Sequence, residues 1–166
     1  MSPVWVRIGR NPLKWMNRLT PRILSCFLIK QKSGTVYFSS GRPGGKGYTD
    51  IYRAIKQQDG KYKVQNVGKP INHWFYDWDP CIAPDESFMI FTAVRLKRPF
   101  HKTDLYITFK NGDKWTRPKH LGKRINTKAN EYGPFLSPDN KYLFFSRLGN
   151  GDKGDIYWVD LTQFLH

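Results

Sequence analysis

Short runs of apolar and β-branched residues alternate with turn-forming residues along most of the chain. The clearest case is residues 131–147, in which two apolar runs flank the turn Pro138-Asp139-Asn140. Proline presets φ, and Asp and Asn tolerate the left-handed region, so this stretch predicts a β-hairpin. A third β-rich run at residues 155–159 follows a loop of Gly, Asn and Asp and predicts one more strand.

The same pattern occurs a second time upstream and, in part, a third time. Asp85 and Asp139 occupy matching turns and lie 54 positions apart. The residues that open the third strand of each copy are Asp50, Asp104 and Asp155. Internal repeats decide the fold before any other signal, and a period of this size is typical of propellers and repeat arrays.

Each full copy predicts four antiparallel strands: an inner one, two joined by hairpins, and an outer one. We therefore predict an all-β fold of three four-stranded β-propeller blades that form an incomplete ring, at about residues 27–72, 73–126 and 127–166. Residues 1–26 form a basic leader, either disordered or used for targeting. A solenoid is the competing repeat fold, and a β-sandwich is the alternative without repeats.

The run Ser-Pro-Asp-Asn-Lys-Tyr-Leu-Phe-Phe-Ser at residues 137–146, with Asp-Ile-Tyr at residues 155–157, resembles the TolB-type propeller repeat of bacterial proteins. The resemblance covers about residues 34–160. Asn140 and Glu86 stand where that family usually has Gly, and Ala83 replaces a Ser. The resemblance implies a WD40-like binding module in the periplasm or outside the cell, or the propeller part of a hydrolase.

Family propellers commonly have six or seven blades, whereas this chain offers three. Either two copies close a six-bladed ring as a homodimer, or the chain carries only part of a ring. An open half-ring would expose a strand edge and the flank of a sheet, and both favour association.

The formal net charge is +15, and about half of the excess lies in the first 33 residues, which hold seven basic residues and no acidic one. Basic charge attracts nucleic acid and anionic surfaces. No nucleic-acid-binding motif accompanies it, so a basic nucleic-acid binder is the third hypothesis, after a binding module and the propeller part of a hydrolase. The apolar stretch at residues 24–29 has the wrong length for a signal peptide, and no segment is long enough to span a membrane.

The sequence offers no catalytic constellation and implies neither a metal nor a cofactor. None of the four histidines accompanies a nucleophile motif, and no Gly-x-Ser-x-Gly elbow is present. The two cysteines, Cys26 and Cys81, do not have a zinc-site spacing. We expect Cys81 to be a buried thiol, because a free Cys behaves as a small hydrophobe.

Propellers usually bind ligands through the loop before the inner strand and the loop between strands two and three. The charged and aromatic residues predicted on those loops are Arg42, Lys46, His73, Trp74, Asp77, Arg95, Arg98, His101, Glu131, Arg147 and Lys153. Cations around exposed aromatic rings predict a protein or an anionic glycan as partner. Asp77 and Glu131 are repeat equivalents, which favours a structural role at the start of the inner strand.

The repeated aspartates predict structural roles. Short Asp side chains accept hydrogen bonds from nearby backbone N–H groups, so Asp50, Asp104, Asp155, Asp85 and Asp139 are expected to fix turns and strand starts. The sequence therefore predicts a non-catalytic binding or scaffolding module.

Overall fold

The computed structural model describes residues 29–94, 102–149 and 154–165, and the regular secondary structure of these residues is β apart from one short helix. Twelve strands and one short 3-10 helix, Thr162–Phe164, occur in those ranges. The strands are β1 (Ile29–Lys30), β2 (Val36–Ser40), β3 (Asp50–Lys56), β4 (Tyr62–Asn66), β5 (Tyr76–Ile82), β6 (Phe88–Val94), β7 (Asp104–Asn111), β8 (Lys114–Trp115), β9 (Lys119–His120), β10 (Asn130–Leu136), β11 (Tyr142–Leu148) and β12 (Gly154–Asp160). The predicted all-β class is confirmed.

The strands form three antiparallel sheets, each built from consecutive strands. The first sheet contains β1 to β4, the second β5 to β9, and the third β10 to β12. The sequence repeat corresponds to a repeated pairing between the second and third strands of each sheet. Asp50 pairs with Ser40, Asp104 with Ala93, and Asp155 with Arg147. The three aspartates therefore occupy equivalent positions at the start of the third strand of each sheet.

The outer strand differs between the sheets. In the first sheet β4 pairs with β3 along its length, whereas in the second sheet two short strands, β8 and β9, pair with different parts of β7. Pro118, which has no N–H to donate, lies between β8 and β9. Among the described residues, no strand pairs with the outer edge of β12.

The sheets stack face on face in one direction. Because side chains alternate between the two faces of a strand, the second sheet presents one face to the first sheet and the opposite face to the third. Tyr37 and Ile51 of the first sheet pack with Met89 and Phe91 of the second. The opposite face of the second sheet packs against the third. Its partners there include Leu136, Leu143 and Phe145.

Repeated hydrogen bonds join neighbouring sheets. The N–H of Asp77 donates to the carbonyl of Thr49 at 2.9 Å, and the equivalent N–H of Glu131 donates to the carbonyl of Thr103 at 3.1 Å. Buried Asn72 bonds both the N–H and the carbonyl of Ile51, and Asn126 does the same with Leu105. These amides satisfy backbone groups that would otherwise be buried without partners.

The inner strands β5 and β10 each contain a β-bulge at the same repeat position. Two residues, Asp79-Pro80 in β5 and Gly133-Pro134 in β10, interrupt the pairing with the next strand. Asp79 has a φ of 49° and Gly133 a φ of 60°. Both prolines lie at the bulge, where a missing N–H does not break the ladder.

The inner hairpins turn through residues with positive φ, namely Gly34, Glu86 and Asn140. A left-handed residue after a type I turn is a common three-residue hairpin loop. The second turn is attached to the first sheet, because Ser33 Oγ and Tyr37 OH donate to the Glu86 carboxylate at 2.7 and 2.9 Å. Burial, together with this carboxylate, raises the pKa of the Tyr37 phenol.

Cys81 is a free, buried thiol, in agreement with the prediction from sequence. It lies in the core between the second and third sheets. Within the described ranges, no helix has the length and apolar character needed to cross a membrane.

Candidate binding site

An open cleft of about 280 Å³ lies between two loops of neighbouring sheets. One loop joins β2 to β3 and the other joins β4 to β5. The residues that line the cleft are Lys46, Gly47, Tyr48, Trp74 and Phe75. We call this surface the loop cleft.

Backbone hydrogen bonds hold the two loops in contact. The N–H of Tyr48 donates to the carbonyl of Phe75 at 2.7 Å. A Cβ atom at position 47 would lie only 2.3 Å from that same carbonyl oxygen, so the contact requires Gly47. The Asp50 carboxylate accepts the N–H groups of Lys46 and Gly47 at 2.6 and 3.0 Å. Backbone contacts therefore hold the two sides of the cleft together.

The side chains around the cleft are aromatic and cationic. Trp74 is 71% exposed and Tyr48 is 65% exposed, although large apolar side chains are usually buried. Tyr48 stacks on Tyr76 with ring centroids 5.2 Å apart, which fixes its orientation. Lys46 and His73 are also exposed. Flat rings beside a lysine can contact a ring-shaped or extended ligand and attract its negative charge.

Three of the predicted binding residues thus lie together, namely Lys46, His73 and Trp74. Arg42, in the same loop as Lys46, points elsewhere: its guanidinium lies 4.8 Å from the ring centroid of Tyr52 and 5.2 Å from that of Phe38. Burial lowers the pKa of Arg42. It acts in packing the first sheet rather than in the cleft.

Asp77 and Glu131 have the structural role that the repeat favoured for them. The alternative, in which both would lie with Arg147 on the binding surface, is wrong. Asp77 is buried and accepts the N–H of His73 at 2.7 Å. Glu131 is 0% exposed, accepts the N–H of Thr127, and pairs with Arg147. Because these carboxylates fix the backbone that precedes each inner strand, neither faces a ligand. Arg95, Arg98, His101 and Lys153 lie outside the described residues.

The repeated aspartates at the third strands have different partners. Asp50 accepts backbone N–H groups, as described above. Asp104 lies 3.3 Å from Lys102 Nζ and 3.4 Å from His120 Nε2. Asp155 is exposed on β12. Aspartates at equivalent repeat positions therefore do not make equivalent hydrogen bonds or ion pairs.

The turn aspartates have matching environments. Asp85 accepts the hydroxyl and the N–H of Ser87, and Asp139 accepts the hydroxyl of Ser137 and the N–H of Lys141. These hydrogen bonds to the charged form lower the pKa of both carboxyl groups.

A second surface is the flank of a sheet. The sequence predicted that a sheet flank would be exposed, but not which residues form it. The face of the third sheet that points away from the second sheet carries large apolar side chains, and we call it the third-sheet face. Its residues are Phe135, Tyr142, Phe144, Ile156 and Trp158. The repeat could have indicated this apolar face, because its positions match core residues of the preceding unit.

Within the described ranges, no group of three or more His, Cys, Asp or Glu residues is placed to hold a metal ion. No model of a known protein family matches the chain, and no curated protein matches it.

Proposed function

We propose that the protein is a non-catalytic binding module whose loop cleft takes an anionic glycan or an acidic protein segment. In this proposal the three sheets are blades of a TolB-type β-propeller, which acts in the periplasm or outside the cell. Equivalent registers, stacking in one direction and repeated hydrogen bonds between sheets support the blade arrangement.

The exposed pair Trp74 and Tyr48 beside Lys46 is the observation that carries the proposal. An exposed aromatic ring loses little conformational entropy on binding, so it is an effective contact for a ligand. The lysine adds attraction for an acidic group, and the net charge of +15 favours approach of an anion from a distance. The cleft is already formed in the backbone, which lowers the cost of binding.

The test is a calorimetric titration with an acidic oligosaccharide of uronic acids, with a neutral oligosaccharide of equal length as the control. We expect binding of the acidic oligosaccharide only. Trp74→Ala and Lys46→Ala should each weaken it by roughly tenfold or more, which corresponds to about 1.4 kcal/mol. Trp158→Ala, on the third sheet, should leave the affinity unchanged.

Three results would contradict the proposal. Equal binding of the neutral oligosaccharide would show that the charge of the ligand does not contribute to its recognition. Tighter binding of duplex DNA, with a steep loss of affinity at higher salt, would indicate a nucleic-acid binder. Cleavage of peptide or glycan substrates by the purified chain would indicate a hydrolase.

A further inference from the structure

The third-sheet face leaves several large apolar side chains open to solvent. Ile156 is 78% exposed and Trp158 is 65% exposed, and Phe135 and Tyr142 lie beside them on the same face. An open recess of about 360 Å³ on this side is lined by Gly133, Phe135, Phe144, Phe145, Ser146 and Ile156. Contiguous apolar surface of this kind marks an interaction site.

The repeat shows what such a face normally contacts. Phe144 is the equivalent of Ile90, Ile156 of Leu105, and Trp158 of Ile107, by the spacing of 54 and 51 residues between copies. In the second sheet the residues Ile90, Leu105 and Ile107 are buried, at 0%, 0% and 2% exposure. They are covered there by the apolar face of a following sheet. The third-sheet face therefore has the chemistry of a sheet-packing interface.

We propose that this face binds the same face of a second copy of the chain, across a two-fold axis. The proposal goes beyond ligand binding, because no residue of the loop cleft takes part in it. The occupant is a β-sheet with an apolar face, and the chain supplies one in its own third sheet.

The alternative of a closed ring requires a different surface on the second copy. In a ring of two copies, the third-sheet face would pack on the outer face of the first sheet, which holds Val36, Phe38 and Ala54. Those side chains are already buried, at 3%, 0% and 0% exposure. A two-fold contact uses only surface that is open, so it requires no rearrangement of the first sheet.

The third-sheet face is also suited to contact with itself. Trp158 projects from the sheet, while the recess between Gly133 and Ser146 accepts a bulky group. In the proposed contact, Trp158 of each copy enters the recess of the other, which is the self-complementarity that an isologous interface requires. Of the residues that β11 and β12 place on this face, Asp160 alone carries a formal charge. The strands of this face therefore add no positive charge to the repulsion between two chains of net charge +15.

Sedimentation velocity of the full chain, over a wide range of concentrations, tests the proposal. We expect a reversible monomer–dimer equilibrium. Trp158→Ser should raise the dimer dissociation constant by roughly tenfold or more. Trp74→Ser, which replaces a tryptophan of similar exposure in the loop cleft, should leave that constant unchanged. Circular dichroism verifies that both variants are folded.

Opposite charges introduced at one position in two variants distinguish a two-fold contact from a closed ring. Ile156→Lys and Ile156→Glu should each be monomeric alone, and should form a heterodimer when mixed if position 156 faces its own copy. A chain that stays monomeric at every concentration, a dimer that Trp158→Ser does not weaken, or a mixture that stays monomeric would each overturn the proposal. If the dimer proposal failed, Trp74→Ala would still be expected to lose oligosaccharide binding. The two proposals can therefore fail independently.

Discussion

The Nε atom of Arg147 donates a hydrogen bond to Oε1 of Glu131 at 2.9 Å, and the Glu131 carboxylate is fully buried. The guanidinium also donates to the carbonyl of Ile125 at 2.8 Å and lies 4.2 Å from the ring centroid of Tyr157. A single arginine thus joins two strands of the third sheet to the chain segment that enters it.

Removing one partner of this pair should be costly. Arg147→Met leaves a buried carboxylate without its counter-charge, and we expect the free energy of unfolding to fall by about 3–5 kcal/mol. Glu131→Gln keeps the shape of the side chain and should cost less. Urea denaturation measures both values.

The double variant is the control for coupling between the two residues. Glu131→Gln combined with Arg147→Met should cost clearly less than the sum of the single changes, because no uncompensated charge remains. Additive losses would show that the two side chains contribute independently.

The two non-glycine turn residues with positive φ, Glu86 and Asn140, should respond differently to replacement by glycine. Asn140 Oδ1 is buried without a hydrogen-bond partner among the described residues. Asn140→Gly removes backbone strain and an unsatisfied atom, so we expect a gain in stability of up to about 1 kcal/mol.

Glu86→Gly is the matched control at the equivalent position. It relieves the same strain but removes the acceptor for Ser33 and Tyr37, so it should lower the unfolding free energy. Thermal unfolding of both variants checks the contrast. A stabilising Glu86→Gly would show that the bonds between the first and second sheets contribute little.

Cys81 should be unreactive in the folded protein. Burial raises the pKa of its thiol to about 12, so the thiolate is scarce at neutral pH and the sulfur is also inaccessible. In a Cys26→Ser background, we expect a thiol reagent at pH 8 to label the chain in denaturant only. Rapid labelling under native conditions would contradict the packing between the second and third sheets.

The turn carboxylates should make stability depend on acid pH. Because the folded-state pKa of Asp85 is depressed, its contribution is present above the unfolded pKa, about 3.9, and is lost as pH falls through the folded value. Asp85→Asn should therefore lower the melting temperature at pH 7, with a smaller difference near pH 2. Ser87→Ala, which removes the hydroxyl donor, should reproduce part of this effect. An equal loss at both pH values would exclude a role for ionisation.

Strands and turns could be read from the sequence because they depend on local chemistry. The repeat placed Asp50, Asp104 and Asp155 at equivalent positions, and the structure pairs them in equivalent registers. Pro118 shows the limit of this reasoning. We predicted one outer strand in each full unit, and in the second sheet two short strands on either side of that proline take its place.

The candidate site was predictable in part. Lys46 and Trp74 line the same cleft, and the backbone of His73 lies beside Gly47 of the facing loop. Arg42 and Arg147 were indistinguishable from them by sequence, since a charged residue in a loop gives no sign of which ring or carboxylate it will meet. Only the packed sheets show that these arginines contact aromatic rings.

The sequence by itself determined the β character, the repeat period and the positions of the turns, because period-two alternation and turn propensity act between near neighbours along the chain. The tertiary structure decided which polar side chains are buried and which apolar face is open. Ile107 and Trp158 occupy equivalent positions, yet one is in the core and the other in solvent. The difference depends on whether another sheet lies against that face, and no local pattern contains that information.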